Sequence, residues 1–233
     1  QISRGFDPTI VAVEGDLALI QAIHASFGVA RRFAGELEVE ATGFYRTLED
    51  REDVARPSDL PRQVAFGGEL MLRKGLTRRV DGWLAYSLLW AQRVEEEGDG
   101  GTITRTPSPY DQRHNLVAVL SLRLPRAWRL GGRLRLSSGL PYTPVVGAIW
   151  NNAAYTPLLG EPLSGRFPIF HQLDVRVDKR WVLRRSIVLA YLDLVNAYNA
   201  ANTEAYIYSR DFSQRVGGLS LPILPLLGVR VEL

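Results

Sequence analysis

The chain contains no cysteine, a single methionine and only three histidines among its 233 residues. The absence of cysteine excludes a disulfide framework and thiolate chemistry. His24, His114 and His171 lie far apart, and none has a second metal ligand at a familiar spacing. We therefore expect no metal site, no cofactor and no catalytic residue.

Long hydrophobic runs are also absent. No stretch approaches the roughly 18 consecutive apolar residues that a membrane-spanning helix needs, and the mean hydropathy is −0.06. The first six residues, QISRGF, lack the basic and apolar segments of a signal peptide. We expect that the chain begins after processing or is part of a longer product.

No charge of one sign dominates either. The net charge is +3, and basic residues alternate with acidic ones. This balance is typical of a solvated face and argues against nucleic-acid binding.

Residues 171–181 carry the clearest pattern in the chain. Read alternately, one side of this stretch is charged and the other is almost entirely apolar. A period of two is typical of a β-strand whose faces meet different surroundings. Four charges on one strand face cannot enter an apolar core without a large desolvation cost. The charged residues are Asp174, Arg176, Asp178 and Arg180, and the apolar ones are Leu173, Val175, Val177 and Trp181.

The same alternation recurs along the chain and predicts nine long strands. Strands of about 10 residues or more match the tilted span of an outer-membrane barrel. Short turns alternate with long segments between these strands, and transmembrane barrels sort their connections in this way. The sequence therefore predicts an all-β fold, a transmembrane antiparallel β-barrel, in preference to a soluble sandwich. The predicted strands are residues 19–33, 36–48, 62–74, 79–94, 112–124, 128–138, 170–182, 186–198 and 223–233.

Two further features bear on the barrel. Aromatic residues near strand ends suit the interfacial girdles of a barrel, although each one alone is equally compatible with core packing. Nine strands are an odd number, and an unpaired strand edge is prohibitively costly in lipid. We therefore expect other strands to complete the barrel. The aromatic residues are Phe33, Tyr45, Trp90, Trp128, Trp181 and Tyr198.

Five segments occur in a recognisable order. They are PYDQRHN at 109–115, SGLPYTP at 138–144, QLDVR at 172–176, YLDLVNAYN at 191–199 and LPILPLLGVR at 221–230. Together they resemble the C-terminal portion of a TonB-dependent outer-membrane receptor, and the resemblance covers essentially all of residues 1–233. The polar residues and prolines of these segments are interpreted as architectural, because none supplies catalytic chemistry.

The resemblance implies a barrel of about 22 strands with an N-terminal plug, of which this chain supplies the last nine strands. The plug and the earlier strands would lie outside it, in the same polypeptide or a partner. The implied location is the outer membrane of a Gram-negative envelope, as a multi-pass β-barrel. The implied function is energised uptake of a scarce solute: a siderophore, metal complex, cofactor, oligosaccharide or peptide. Implied partners are outer-membrane lipid, the remaining strands and plug, a TonB-type energy-coupling protein reached through the N-terminal part, and the barrel-assembly machinery.

The resemblance also gives roles to particular residues. An assembly signal would comprise Gly228, Val231 and Leu233, although such signals usually end in an aromatic residue. Solute capture would use loop residues Trp150, Asn151, Asn152, Tyr155, Tyr206 and Tyr208. The charges expected to face the lumen, where they hold the plug or form a hydrated wall, are Arg129, Arg133, Arg135, Asp174, Arg176, Asp178 and Arg180.

Two alternatives remain open at this stage. A receptor-like barrel could instead act as a structural or docking subunit of an envelope-spanning complex. An outer-membrane hydrolase would need acidic or serine residues clustered with histidine at the rim. His114 and His171 precede strands on that side, but the PYDQRHN segment already accounts for His114, so we expect no enzymatic activity.

Overall fold

A computed structural model describes residues 20–50, 62–75, 77, 79–96, 102–151 and 153–233. Within these ranges the protein is built from strands, with one 3₁₀ turn at Pro125–Ala127 and no α-helix. No helix in the described part of the chain is long and apolar enough to cross a membrane. The all-β prediction is therefore confirmed.

Sixteen strands follow one another in the described ranges. Nine of them are long and form the main sheet, and seven are short. In chain order they are β1 (Ile20–Phe33), β2 (Leu37–Asp50), β3 (Arg62–Lys74), β4 (Val80–Glu96), β5 (Ile103–Pro107), β6 (His114–Leu124), β7 (Trp128–Ser137), β8 (Pro141–Tyr142), β9 (Val145–Asn151), β10 (Ala154–Leu159), β11 (Gly165–Arg166), β12 (Phe170–Val182), β13 (Ile187–Val195), β14 (Thr203–Tyr208), β15 (Arg215–Leu219) and β16 (Leu224–Glu232).

The main sheet is antiparallel and follows the chain order of its long strands. Its order is β1-β2-β3-β4-β6-β7-β12-β13-β16, and β5 pairs with the end of β4. The bounds of β3 and β12 are those predicted, and the other long strands differ by at most three residues at either end. The remaining short strands form the pairs β9–β10, β8–β11 and β14–β15.

Connections of different length lie at opposite ends of the sheet. One end, called here the short-turn end, carries tight turns such as Pro125–Ala127, where Arg126 and Ala127 have φ of 60° and 59°. Two successive left-handed residues are the mark of a type I′ turn, whose twist suits a hairpin. The opposite end, called the loop end, carries the long connections that contain the seven short strands.

The strand register gives the nine long strands two continuous faces, and one of them carries most of the charged side chains. Residues directly paired across strands share a face, so the pairs Glu38↔Arg73, Arg133↔Asp174 and Arg176↔Asp193 define one polar face. The opposite, apolar face is defined by the pairs Phe66↔Trp90, Leu72↔Leu84, Leu134↔Leu173 and Val188↔Val231.

Burial in this sheet is the inverse of that in an ordinary globular domain. The only buried apolar side chains in the described ranges are Ala91, Pro141 and Ala200. Large side chains of the apolar face are exposed, among them Phe27 at 78% and Leu227 at 81%. The buried polar residues are Thr47, Ser108, Asp111, Gln172, Asp174, Asn196 and Asn202.

The main sheet is open. Within the described ranges, β1 pairs only with β2 and β16 pairs only with β13. Each edge strand therefore presents one row of unpaired backbone groups. A closed barrel is not formed by these strands alone.

Candidate functional site

A hydrogen-bonded charge network crosses β7 and β12 on the polar face. Arg133 donates to Asp174 Oδ2 from Nε at 2.9 Å and from Nη2 at 2.5 Å, and Gln172 Nε2 donates to Asp174 Oδ1 at 2.6 Å. Arg135 Nη2 donates to Gln172 Oε1 at 2.6 Å. Each charge of this network therefore has a hydrogen-bond partner on the polar face.

Asn196 joins this network to the loop end. Its backbone N–H donates to Asp174 Oδ1 at 3.0 Å. Its side-chain Nδ2 donates to the carbonyls of Ala200 and Leu221, each at 3.0 Å. Asn196 has φ of 54°, a left-handed conformation that asparagine tolerates. The residue therefore ends β13 and fixes the segment that leads into β16.

Arg176 is the centre of a second polar-face cluster. Its Nε lies 2.9 Å from Asp178 Oδ1, and its guanidinium lies 4.1 Å from the ring centroid of Tyr191. Gly228 is paired with Tyr191 on the neighbouring strand, and a Cβ at Gly228 would meet Tyr191 Cζ at 2.2 Å. Glycine at 228 thus leaves room for the Tyr191 ring, on which the Arg176 guanidinium stacks.

Asp111 forms a buried polar node at the loop end. Its Oδ1 accepts from the Ala91 backbone N–H at 2.8 Å, and Arg113 Nε donates to Oδ2 at 2.9 Å. Arg166 from β11 also pairs with Oδ2 and donates to the Asp111 carbonyl at 2.7 Å. Burial alone would raise the pKa of Asp111. The hydrogen bonds from Ala91, Arg166 and Arg113 outweigh burial and hold that pKa below its usual value.

A cluster of three aromatic rings and one arginine connects two loops. Tyr142 lies 4.7 Å from Phe167 and 5.1 Å from Tyr206, measured between ring centroids. Arg215 stacks 4.4 Å over Tyr206 and donates to Tyr142 Oη at 3.0 Å. Burial raises the pKa of Tyr206, and the hydrogen bond with Tyr142 raises that of Arg215. The β14–β15 hairpin is thereby held against β8.

Of the loop residues predicted to capture solute, the structure brings together one pair of rings. Trp150 and Tyr155 are paired across the β9–β10 hairpin, with ring centroids 4.8 Å apart in an edge-on arrangement. Asn151 ends β9, whereas Asn152 lies outside the described residues.

Tyr206 and Tyr208 lie on β14, two residues apart and therefore on one side of that strand. Tyr208 lies 5.9 Å from Phe212. Within the described ranges, no ring contact joins β14 to the Trp150–Tyr155 pair. The predicted capture residues thus form two separate groups.

The seven predicted lumen charges all lie on the polar face by register. The residues that sequence reasoning missed are the partners Arg166, Phe167 and Arg215 and the buried Asn202. Asp111 and Arg166 are separated by 55 positions, so no local pattern connects them. The PYDQRHN segment was the available signal for Asp111 itself.

The two histidines at the loop end each contact a tyrosine hydroxyl. His114 Nδ1 lies 2.8 Å from Tyr86 Oη, and His171 Nδ1 lies 2.9 Å from Tyr198 Oη. No group of three or more metal-ligating side chains occurs among the described residues. Both histidines have a tyrosine hydroxyl as a side-chain partner.

Comparisons with known proteins give no relative. No family model, no curated protein and no solved structure matches this chain significantly.

Proposed function

We propose that this chain is a wall segment of a transmembrane antiparallel β-barrel in the outer membrane of a Gram-negative cell. The observation that supports this most strongly is the inverse burial: the apolar face of the main sheet is exposed, whereas the buried side chains are mainly polar. In water, such a face would be a far larger apolar patch than soluble monomers expose. In a membrane, lipid acyl chains would cover this apolar face and keep it out of contact with water.

The height of the apolar face agrees with a bilayer. On β12 this face extends from His171 to Trp181, ten residue steps. At roughly 3.4 Å per step this is about 34 Å along the strand, or about 24 Å across a membrane at roughly 45° of tilt. Outer-membrane barrels have an apolar band about 25 Å tall.

Aromatic residues lie near both ends of the apolar face. At the loop end, Tyr45 is paired with Phe66, and Phe66 stacks on Trp90 with centroids 5.5 Å apart. At the short-turn end, Lys179 lies 5.1 Å from the Trp128 ring and 5.8 Å from that of Trp181. Its ammonium reaches the carbonyl of Arg126 in the turn. A lysine that extends from the apolar face to the turn is typical of a membrane interface.

The open edges bear on what surrounds the segment. Unpaired backbone groups are not tolerated in lipid, so both β1 and β16 need further strands as neighbours. The five sequence segments resemble those of TonB-dependent receptors, whose barrels have about 22 strands. We therefore propose that further strands and a plug, in the same polypeptide or a partner, complete this barrel.

The function that we propose is energised, TonB-dependent uptake of a scarce solute. The polar face would line the lumen, and the loop end would face outward. Trp150 and Tyr155 at one hairpin and Tyr206 and Tyr208 at another would contact the solute. A siderophore, a metal complex, a cofactor, an oligosaccharide or a peptide remain the candidate classes.

Cysteine labelling can test the membrane placement, since the chain has no cysteine of its own. Leu84 lies on the apolar face opposite Leu72 and Ala118, whereas Ala85 lies on the polar face opposite Met71 and Val117. In outer-membrane vesicles in which water reaches the lumen, Ala85→Cys should react with a membrane-impermeant maleimide. Leu84→Cys should react only with a lipid-soluble one. Equal reaction of both with the impermeant reagent would contradict lipid contact on the apolar face.

Uptake itself needs a separate measurement. Cells lacking the gene should lose accumulation of one labelled solute, and a protonophore should abolish accumulation in wild-type cells. Accumulation that survives the protonophore would contradict energised transport and leave the barrel proposal intact.

One observation favours a docking subunit as a second candidate. Residues 141–160 carry no charged side chain, yet Val146, Ile149 and Leu159 of the β9–β10 hairpin are exposed. An uncharged, exposed hairpin suits a protein partner. Detergent extraction followed by intact mass measurement separates the two candidates. A mass several times 26.0 kDa supports a single transporter chain, and a mass near that value with a second polypeptide supports docking.

A further inference from the structure

The polar face holds a concave site at the short-turn end, with a volume of about 820 Å³. Strands β6, β7, β12, β13 and β16 contribute to it. Its charged lining consists of Arg123, Arg129, Arg176, Arg180, Arg230, Asp178 and Glu232. Five arginines and two carboxylates leave an excess of three positive charges in the site.

Both carboxylates of this site are already engaged. Asp178 Oδ1 lies 2.9 Å from Arg176 Nε, and Glu232 Oε1 lies 3.1 Å from Arg230 Nε. The exposed guanidiniums of Arg123, Arg129 and Arg180 form no ion pair with any carboxylate in the described part of the chain. The excess charge is therefore carried by three particular side chains, called here the free arginines.

The register places two of the free arginines side by side. Arg123 and Arg129 are directly paired across β6 and β7, and on its other side Arg129 lies opposite Asp178 of β12, whose carboxylate is engaged by Arg176. Like charges directly opposite each other on neighbouring strands destabilise a sheet. Further along β7, Arg133 and Arg135 donate hydrogen bonds to Asp174 and Gln172 of β12, whereas Arg129 forms no ion pair with the Asp178 opposite it. The unfavourable pairing is thus a local feature of the short-turn end.

We propose that the free arginines bind a multiply charged anion that carries phosphate groups. Guanidinium groups present parallel N–H donors that match phosphate oxygens in a two-point contact. An oligophosphate brings several oxyanions within one molecule, and it would occupy the space between Arg123, Arg129 and Arg180. The ligand would also remove the repulsion between the two paired arginines.

The test uses the intact protein, extracted in detergent, with inorganic tripolyphosphate as the probe. Calorimetric titration should give saturable binding that weakens as salt is raised, because charge neutralisation drives it. Replacing both Arg123 and Arg129 with glutamine should weaken binding at least tenfold. Arg73→Gln is the matched control, since Arg73 lies on the same polar face outside the site. It should leave the affinity within twofold of wild type.

Thermal unfolding supplies a second readout that folding defects cannot imitate. Tripolyphosphate should raise the unfolding temperature of the wild type and not that of the double variant. No saturable binding, an equal effect of Arg73→Gln, or tighter binding of citrate than of tripolyphosphate would each overturn the proposal.

Discussion

A single charge placed on the apolar face distinguishes lipid from water as its surroundings. Leu120 lies near the middle of β6 on that face and is 50% exposed. Its direct neighbours across the strands are Gly82 and Gly132, so a longer side chain meets no crowding there. The substitution Leu120→Arg therefore introduces a charge on the apolar face without a steric clash with the neighbouring strands.

The expected cost follows from this exposure. If lipid covers the exposed half of Leu120, loss of the leucine side chain from lipid costs about 1 kcal/mol. This is half of the roughly 2 kcal/mol for a fully buried leucine. An arginine near the bilayer midplane adds about 2–4 kcal/mol. We therefore expect Leu120→Arg to lower the free energy of unfolding by about 3–5 kcal/mol. If water covers this face, a substitution at this exposed position changes the free energy of unfolding by only about 0.5 kcal/mol.

The measurement is a guanidinium titration of the protein in lipid vesicles, with the folded fraction read from the mobility of unheated samples in gel electrophoresis. Ser121→Arg is the control, because Ser121 is the next residue, lies on the polar face and is paired with Asp81. That variant should unfold within about 0.5 kcal/mol of wild type. A loss below about 1 kcal/mol for Leu120→Arg, or equal losses for the two variants, would refute lipid contact on this face.

Three further predictions concern Asp111 and the contact between Gly228 and Tyr191. Asp111→Asn leaves the guanidiniums of Arg113 and Arg166 without their shared carboxylate, and we expect a loss of about 3 kcal/mol in denaturant unfolding. Because the folded pKa of Asp111 lies below its ordinary value of 3.8, its stabilisation is complete above that pH and is lost as the pH falls through the folded pKa. Acidification below pH 3.8 should therefore destabilise the wild type more than Asp111→Asn, and equal acid sensitivity would contradict this role. Gly228→Ala should cost about 1–3 kcal/mol through collision with Tyr191, and the cost should disappear when Tyr191 is also replaced by alanine.

The long strands could be predicted from the sequence because their two faces differ in chemistry. In β12, charged and apolar residues alternate without interruption, and the predicted bounds are those of the structure. Strand ends were less predictable. The strand predicted to end at 198 ends at Val195, because the backbone of Asn196 is in the left-handed conformation. The side-chain amide of Asn196 then hydrogen-bonds to the loop. The strand predicted from 112 begins at His114, because Asp111 holds the preceding residues in a turn.

The structure of the long connections could not be predicted in the same way. Residues 139–169 separate the predicted strands 128–138 and 170–182, and no strand is predicted among them, yet they contain β8, β9, β10 and β11. The β9–β10 hairpin is apolar on both sides, so it has no period-two alternation to reveal it. The contact between Asp111 and Arg166 depends on where β11 lies, and that position follows from the fold and not from local sequence.

The buried polar nodes explain how a single-layer sheet holds its loops in place. Among the described residues, only Ala91, Pro141 and Ala200 are buried apolar side chains, so hydrophobic packing cannot select one arrangement of the long connections. Hydrogen bonds are directional, and they are strongest where water is excluded. Asp111 joins β4 and β11 to the segment before β6, and Asn196 joins β12 to the segment before β16. Each node lies where a long connection leaves the sheet, so its loss should release the loops and leave the strand register unchanged.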